Sequence, residues 1–589
     1  MSDQTPEQTT PVSSDSNSEI QEPPSNFGGI IRQLGPGLII AASIVGSGEL
    51  IATTKTGAQA GISLLWLIVV GCVIKVFVQI ELGRIAIGQG ETTLTSLNKV
   101  PGPRLVVNWI IWYWLIMMIV GFGQLGGIIG GVGQSLALAR PLTSDYIEAV
   151  RLPSEHELKR FIAWSDDEAN NGGAELKKLP EDQQKRVTRS QGVIERRLVE
   201  LDKNVEGKSE EILGLVRDLI EKERAAVLAE DLAISANEEF DKGAFVKAEQ
   251  DDVNAQLKPW TWDDKYWSVV VAILTILLLV RGKYGLIQNI STVLVVAFTF
   301  VTLGNVVALQ FEPAYGLSLA EIFSGLIPSL PPEGIAPPGL PYWKVSQPVA
   351  TALATFGIIG VGASELVAYP YWCIEKGYAK YTGPNTKDEA WYRRANGWIR
   401  VMKWDAFASM IIYTIATIAF FFMGVAVMYA QGLDPEGMRM VSTLLEQYVP
   451  IFGGHAKWLF LAGAIAVLYS TYLVANAAWT RIYTDAFKVF GFMSRDNEKA
   501  HNQSIFILAI VLPLISMGLW CSGINPVKLV LLSGLMQAVM LPMLGFAALY
   551  FRYTKTDKEI QPGRAWDACL IISSIGLLIA GSWGVYSKL

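Results

Sequence analysis

Long apolar runs, each about as long as a bilayer is thick, alternate with short polar segments along most of this chain. A bilayer core needs roughly 20 apolar residues per helix. By that measure the pattern predicts eleven membrane-spanning helices, near residues 34–56, 62–88, 105–135, 261–281, 286–309, 349–374, 404–430, 457–478, 503–520, 526–551 and 566–586. The periodicity changes between the third and fourth runs. Residues 141–260 set charges over apolar positions at helical spacing, as in Ile194, Leu198, Leu201 and Val205 and again in Ile212, Val216 and Leu219. That segment predicts two or more solvated amphipathic helices, in a hairpin or short coiled coil. Its plainer reading is decoration on a scaffold rather than a substrate-handling domain. Residues 1–26 carry Ser, Pro, Gln, Thr and acid but no Lys or Arg. They predict a disordered cytoplasmic tail and lack the basic start of a signal peptide. The chain thus divides into a tail (1–26), spans one to three (27–140), an external charged helical insertion (141–260) and spans four to eleven (261–589).

Composition sharpens this division. Only 17% of the 589 residues are charged, against about 25% in soluble domains. Residues 141–262 hold 45 of the 102 Asp, Glu, Lys and Arg, so the rest has a membrane composition. With 51% hydrophobic residues and a mean hydropathy of +0.33, a soluble multidomain protein is excluded. Cys72, Cys373, Cys521 and Cys569 are scattered and read as apolar packing residues. His156, His455 and His501 all fall outside the predicted spans, leaving no intramembrane imidazole to bind a metal or relay protons. Neither a nucleotide loop nor a catalytic triad pattern is present, so no enzyme activity, resident cofactor or nucleic-acid partner is expected. The expected partners are the lipid bilayer and a transported cation or small solute.

Basic residues give the orientation. Lys376, Lys380, Lys387, Arg393, Arg394, Arg400 and Lys403 follow span six, Arg481, Lys488, Arg495 and Lys499 follow span eight, and Arg552, Lys555, Lys558 and Arg564 follow span ten. The segment before span six, 310–348, carries Lys344 alone. All the basic segments share one side if the amino terminus is cytoplasmic and the carboxyl terminus external. Eleven spans allow that arrangement in a multi-pass protein of the cell (inner) membrane, and an even number does not. The insertion then lies outside.

One octet occurs twice. Val45-Gly46-Ser47-Gly48-Glu49-Leu50-Ile51-Ala52 returns as Val361-Gly362-Ala363-Ser364-Glu365-Leu366-Val367-Ala368, identical at five of eight positions. Each copy puts a carboxylate beside small, helix-breaking residues at membrane depth. Intramembrane ionisable residues are costly and mark function by default. Paired broken helices in matching halves of a chain point to a transporter's binding site. Four spans separate the two copies, so a five-span unit begins at each, and an odd number inverts the second unit. The pattern predicts an all-α membrane protein with an inverted repeat, spans one to five against six to ten, plus an eleventh span. Glu49 and Glu365 would face one central site, with Ser47, Ser364 and carbonyls freed at Gly46, Gly48 and Gly362 completing an all-oxygen nest. Read blandly, Gly-x-x-Glu packs helices and its Glu is protonated or paired; the second copy favours the functional reading. Two bare carboxylates so close repel, and a proton, a cation or a basic partner must join them.

Lys75 offers such a partner at the centre of span two. One reading pairs it with Glu49 or Glu365, where it could serve as a coupling charge; the other ties it structurally to Glu81 or to a carbonyl. The glycines of span three, from Gly121 to Gly133, read as helix-packing positions, and Tyr266 and Trp267 as interfacial anchors.

Several stretches resemble the Nramp (natural resistance-associated macrophage protein) divalent-metal transporters. Gly35-Pro36-Gly37 through Gly57-Ala58-Gln59-Ala60-Gly61, then Leu64-Leu65-Trp66 and Gln79, are similar to the first two spans of that family. Gly357-Ile358-Ile359-Gly360 resembles the start of its sixth span and Leu541-Pro542 its tenth. The resemblance covers the eleven-span core without the tail and insertion. It implies a LeuT-type fold, a metal held between unwound segments of spans one and six, and proton-coupled uptake. The signature residues differ. The family's Asp-Pro-Gly-Asn falls on Gly46-Ser47-Gly48-Glu49 and its Met-Pro-His on Ser364-Glu365-Leu366, which removes a thioether and an imidazole. Its acidic span-three positions, tied to proton movement, fall on Gln124 and Gly127, and its span-ten glutamine falls on Met540.

These observations lead to an expected function. Carboxylate and carbonyl oxygen suit Mg, Ca and Mn, whereas thioether sulfur suits softer metals. The leading expectation is a Nramp-like secondary transporter of a divalent cation of the Mg or Mn type, with Glu49 and Glu365 as metal ligands and alternating access as its mode. A transporter of an amino acid or other organic solute on the same scaffold, using Lys75 as a coupling charge, is the second. A non-transporting membrane sensor is the third.

Overall fold

In the computed structural model, residues 20–203, 205–236, 239–257, 259–281, 284–331, 347–495 and 497–586 are described. Each predicted apolar run lies on helix. Spans one and two share the run Pro36–Gln89, span three is Trp109–Ala139, and span four is Asp263–Arg281. Span five ends at Leu309, and span six runs from Pro348 to Lys376. Spans seven to eleven are Glu389–Met423, Ala456–Val489, Glu498–Cys521, Pro526–Thr554 and Arg564–Tyr586. Among the described residues, nine runs are long and apolar enough to cross a membrane, the first holding two spans. Span four carries Asp263, Asp264 and Lys265 in its first turn, which dilutes its apolar length. Span seven starts well before residue 404 because Asp388 caps an extension of the helix at Glu389, accepting from the Trp391 N–H.

Spans one and six are the broken helices. Span one is helical over Pro36–Ile44, leaves the helix at Val45–Gly46, and resumes as a wide π turn over Ser47–Thr53 before Thr54–Ala60. Span six is helical over Pro348–Ile358 and again over Ala363–Lys376, with residues 359–362 unwound between. Gly360 has φ +56°, and a Cβ there would lie 2.9 Å from the Cys72 backbone, so glycine is required twice over.

Small residues set the approach of the helices around these breaks. A Cβ on Gly357 would overlap the Gly534 carbonyl, and one on Gly534 the Ala354 carbonyl, so spans six and ten meet backbone to backbone. The span-three glycines are packing positions: Gly121 receives Trp479, Gly130 receives Trp520, and Gly127 faces the Pro526 carbonyl. Gly534→Leu is expected to cost about 3 kcal/mol or more, because backbone on both sides cannot yield to the added volume. Thermal melting of the purified protein in detergent reads this directly.

Residues 20–26, expected to belong to a disordered tail, are held against the rest of the protein. Glu22 pairs with Arg393 at 2.9 Å, Arg400 donates to the Pro24 carbonyl at 2.9 Å, and the Trp398 indole donates to the Gln21 carbonyl at 3.0 Å. The basic segment after span six therefore holds residues 20–26 in place, and residues 1–19 lie outside those described.

The insertion forms helices at Ser144–Arg151, Glu155–Asn171, Ala174–Lys178, Glu181–Asp202, Lys208–Ala236 and Lys242–Leu257. Ile194, Leu198, Leu201, Ile212, Val216 and Leu219 share a core with Leu158 and Val253. Val205 does not join them and is 44% exposed, since the helix ends at Asp202. The insertion sits on the segment between spans seven and eight. Arg197 pairs with Glu446 at 3.5 Å, Arg186 lies 4.0 Å over the Tyr429 ring, and Ser442 donates to the Val150 carbonyl at 3.0 Å.

Candidate substrate site at the paired helix breaks

Span one presents its acid directly after its break. The Gly46 N–H donates to Glu49 Oε2 at 3.4 Å, and Thr417 Oγ1 of span seven lies 3.1 Å from Glu49 Oε1. Thr417 has one hydroxyl proton and a closer acceptor, the Tyr413 carbonyl at 2.7 Å. Glu49 is fully buried, so it sits away from water with few donors. Such a carboxyl is complete only with a positive charge, a proton or a metal, bound to it. Gly48 faces the second break, where an added Cβ would stand 3.2 Å from the Ile358 carbonyl.

Span six builds its half of the site around Gly362, Ser364 and Glu365. Ser364 Oγ donates to Glu365 Oε2 at 2.8 Å or to Gln537 Oε1 at 3.0 Å, and the Ser364 N–H donates to Gln537 Oε1 at 3.1 Å. A Cβ on Gly362 would come within 2.5 Å of Glu365 Oε2 and 2.9 Å of Gln537 Oε1. Glu365 is half-buried, in contrast to Glu49. The cluster continues across span ten. Gln537 Nε2 donates to Gln124 Oε1 at 2.8 Å, Ser533 Oγ donates to the same oxygen at 3.1 Å, and Gln124 Nε2 donates to Ser47 Oγ at 3.3 Å. A continuous polar chain thus links Ser47 of span one, Gln124 of span three, Gln537 of span ten, and Ser364 with Glu365 of span six.

Lys75 takes the carbonyl option. Its Nζ donates to the Phe356 carbonyl and, at 2.7 Å, to the Ile359 carbonyl, and it lies 4.6 Å over the Phe356 ring. It therefore caps the freed carboxyl end of the first half of span six. Among the described residues it forms no ion pair with Glu49 or Glu365, although all three groups interact electrostatically. Glu81 is taken by Arg84 at 3.1 Å and the Trp566 indole at 2.7 Å.

Gln537 is the residue that sequence reasoning missed. The resemblance placed the span-ten glutamine at Met540, which is buried and makes none of these bonds. The amide at the site comes three residues earlier, nearly one helical turn. Gln537 is the only amide side chain in the run 526–551, and that isolation was the available signal. Thr417 carried no such mark. Among the described residues no three His, Cys, Asp or Glu side chains converge, so any ion here would rest on two carboxylates supplemented by hydroxyl, amide and carbonyl oxygen. Cys72, buried on span two within electrostatic reach of Glu49, adds a sulfur nearby.

Comparison with known proteins agrees with the architecture. Residues 260–587, more than half of the chain, match the sequence model described as natural resistance-associated macrophage protein-like (Nramp). Among solved structures, the H236A mutant of the Eremococcus coleocola manganese transporter is 13% identical with a TM-score of 0.55, covering 96% of this chain and 89% of its own. The same transporter in complex with an aromatic bis-isothiourea substituted compound is 15% identical with a TM-score of 0.51, covering 97% and 91%. MhsT in complex with L-phenylalanine is 15% identical with a TM-score of 0.50, covering 97% and 100%. No curated protein matches. At such identities the structural likeness speaks for fold alone, a LeuT-type arrangement of broken first and sixth spans with an added eleventh. The match over more than half its length makes this multi-pass membrane protein a member of the Nramp-like family.

Proposed function

We propose that the protein is a secondary active transporter of a divalent metal cation, with Glu49 and Glu365 as its charged ligands. The observation that carries this is a carboxylate beside each of the two helix breaks, with a chain of hydroxyl and amide groups running from Ser47, two residues before Glu49, through spans three and ten to Ser364 and Glu365. Ser47, Ser364, Gln537 and the carbonyls at Gly46, Gly48 and Gly362 supply neutral oxygen around them. Such a donor set favours a hard cation of the Mg or Mn type, and the manganese transporter fold fits that reading. An organic anion fits less well. The amino end of the second half of span six, which would attract a carboxylate, is already met by the chain's own Glu365 in its first turn.

Alternating access has a structural support as well. Asp405 of span seven accepts from the Gly35 N–H at 2.8 Å and from the Gly37 N–H, and the Tyr369 hydroxyl donates to it at 3.1 Å. At the opposite end, Lys55 pairs with Asp434 and, at 3.2 Å, with Glu436, while Gln59 donates to Asp434 at 3.1 Å. Span one is thus fastened at both ends, and releasing one fastening at a time would open the site to one side at a time. The basic segments after spans six, eight and ten support a reading with the amino terminus in the cytoplasm and the insertion outside the cell membrane.

Reconstituted vesicles test the reading. Manganese or magnesium uptake is expected for the wild-type protein and a strongly reduced uptake for Glu365→Gln. Uptake of an amino acid without any metal dependence would overturn it, as would no flux of either kind.

A further inference from the structure

The insertion meets the rest of the protein at helix ends, where the last carbonyls of a helix lack partners within it. Leu257 ends the helix Lys242–Leu257, and Val150 lies in the last turn of Ser144–Arg151. Both carbonyls take donors from the segment between spans seven and eight. Arg439 Nη1 donates to the Leu257 carbonyl at 3.3 Å and to the Pro153 carbonyl at 3.4 Å. Ser442 Oγ donates to the Val150 carbonyl at 3.0 Å. A guanidinium at a helix carboxyl end also meets the negative end of the helix dipole. Arg439 thereby joins the entry and the exit of the insertion to one point of the segment. Glu446, paired with Arg197, adds a second tie. Behind these bonds stands the insertion's own apolar core, so the segment is held against a packed body.

The same segment carries the carboxylates that hold span one. Gly432 (φ +65°) and Gly437 (φ +56°) bend the chain on either side of Asp434 and Glu436. The turn they make is fastened at both ends. Arg160 of the insertion donates to the Gly432 carbonyl at 3.4 Å, and Gln134 of span three to the Gly437 carbonyl at 3.1 Å. Its tip grips Lys55, which is 4% exposed. A buried ammonium stripped of its carboxylates is strongly disfavoured. Span one therefore leaves at this end either at that cost or together with the turn, and the turn is bonded to the insertion. We propose that the insertion is a brace on the Lys55 end of span one, setting through Arg439 and Glu446 the free energy of opening there. The mechanical link stands apart from the transport reading, and only its effect on uptake rests on that reading.

Hydrogen–deuterium exchange of the purified full-length protein, read by mass spectrometry, tests the brace as a link between distant amides. Arg439→Met removes both carbonyl bonds and is expected to speed exchange over Thr54–Ala60 of span one roughly tenfold. Lys55→Met should do the same while leaving the insertion core unchanged. In the double variant, Arg439→Met should add nothing over Thr54–Ala60, because its path to span one is already cut. A purely structural role for Arg439 would loosen the insertion and leave span one as it was. Unchanged exchange over Thr54–Ala60 in a folded Arg439→Met, or effects that multiply in the double variant, overturns the proposal. Should Arg439→Met fail to fold, as melting curves would show, Glu446→Gln takes its place in the same cycle. A severalfold effect is then expected, and the same two outcomes count against the brace. Linked exchange without metal flux would sink the transport reading and leave the brace standing; metal flux without linked exchange does the reverse.

Discussion

Glu49→Gln is expected to lower divalent-cation uptake about a hundredfold, through a loss of affinity of about 2.7 kcal/mol, with little change in melting temperature. The substitution keeps the shape and one acceptor oxygen, so the Gly46 N–H and Thr417 Oγ1 retain a neighbour to bond. What it removes is the negative charge at a fully buried position. At an effective dielectric of about 20, even two unit charges 4 Å apart attract by about 4 kcal/mol. A divalent ion gains more, less the cost of shedding its water. The hundredfold is the smaller figure because the amide oxygen still ligates. Initial uptake rates over a range of metal concentrations, with melting curves on the same preparations, separate affinity from folding. Unchanged uptake in a folded Glu49→Gln would remove Glu49 from the site and leave Glu365 a lone charge.

Lys75→Met is expected to act first on stability, by about 2–5 kcal/mol. The ammonium satisfies two buried carbonyls, and each one left unpaired costs about 1–3 kcal/mol. Removing a buried charge returns some desolvation energy, but this ammonium is already bonded to both carbonyls and faces the Phe356 ring. The loss of partners therefore outweighs the relief. Transport is expected to fall as well, since the unwound segment 359–362 that precedes Glu365 would lose its fastening. Melting temperature in detergent, compared with Lys75→Arg as the variant that keeps the charge, is the measurement. An unchanged melting temperature in Lys75→Met would show that the carbonyls find other donors.

Much of the architecture was legible in the chain. Apolar length marked the eleven spans, and the repeated Gly-x-x-Glu octet marked both broken helices and their relation by inversion. The periodicity of Ile194, Leu198, Leu201, Ile212, Val216 and Leu219 found the buried face of the insertion. It failed at Val205 because a helix end depends on where the chain turns. The tail was misjudged over residues 20–26 because their partners, Arg393, Trp398 and Arg400, lie in a distant segment. The partner of Lys75 stayed open for the same reason: a carbonyl has no signature in a residue string.

Hydrophobic length, glycine placement and the cost of charge in lipid act locally, and any chain with this order of residues carries their consequences. They determined a bilayer-spanning, twice-broken, inverted helical protein with an acid at each break. Which side chains complete the site was decided only by folding. Gln537 replaced Met540, Thr417 came to Glu49, and Lys75 went to carbonyls and not to an acid. Each of these is a meeting of residues far apart in the chain, set by the angle and spacing at which helices pack, and packing geometry is a property of the assembled helices.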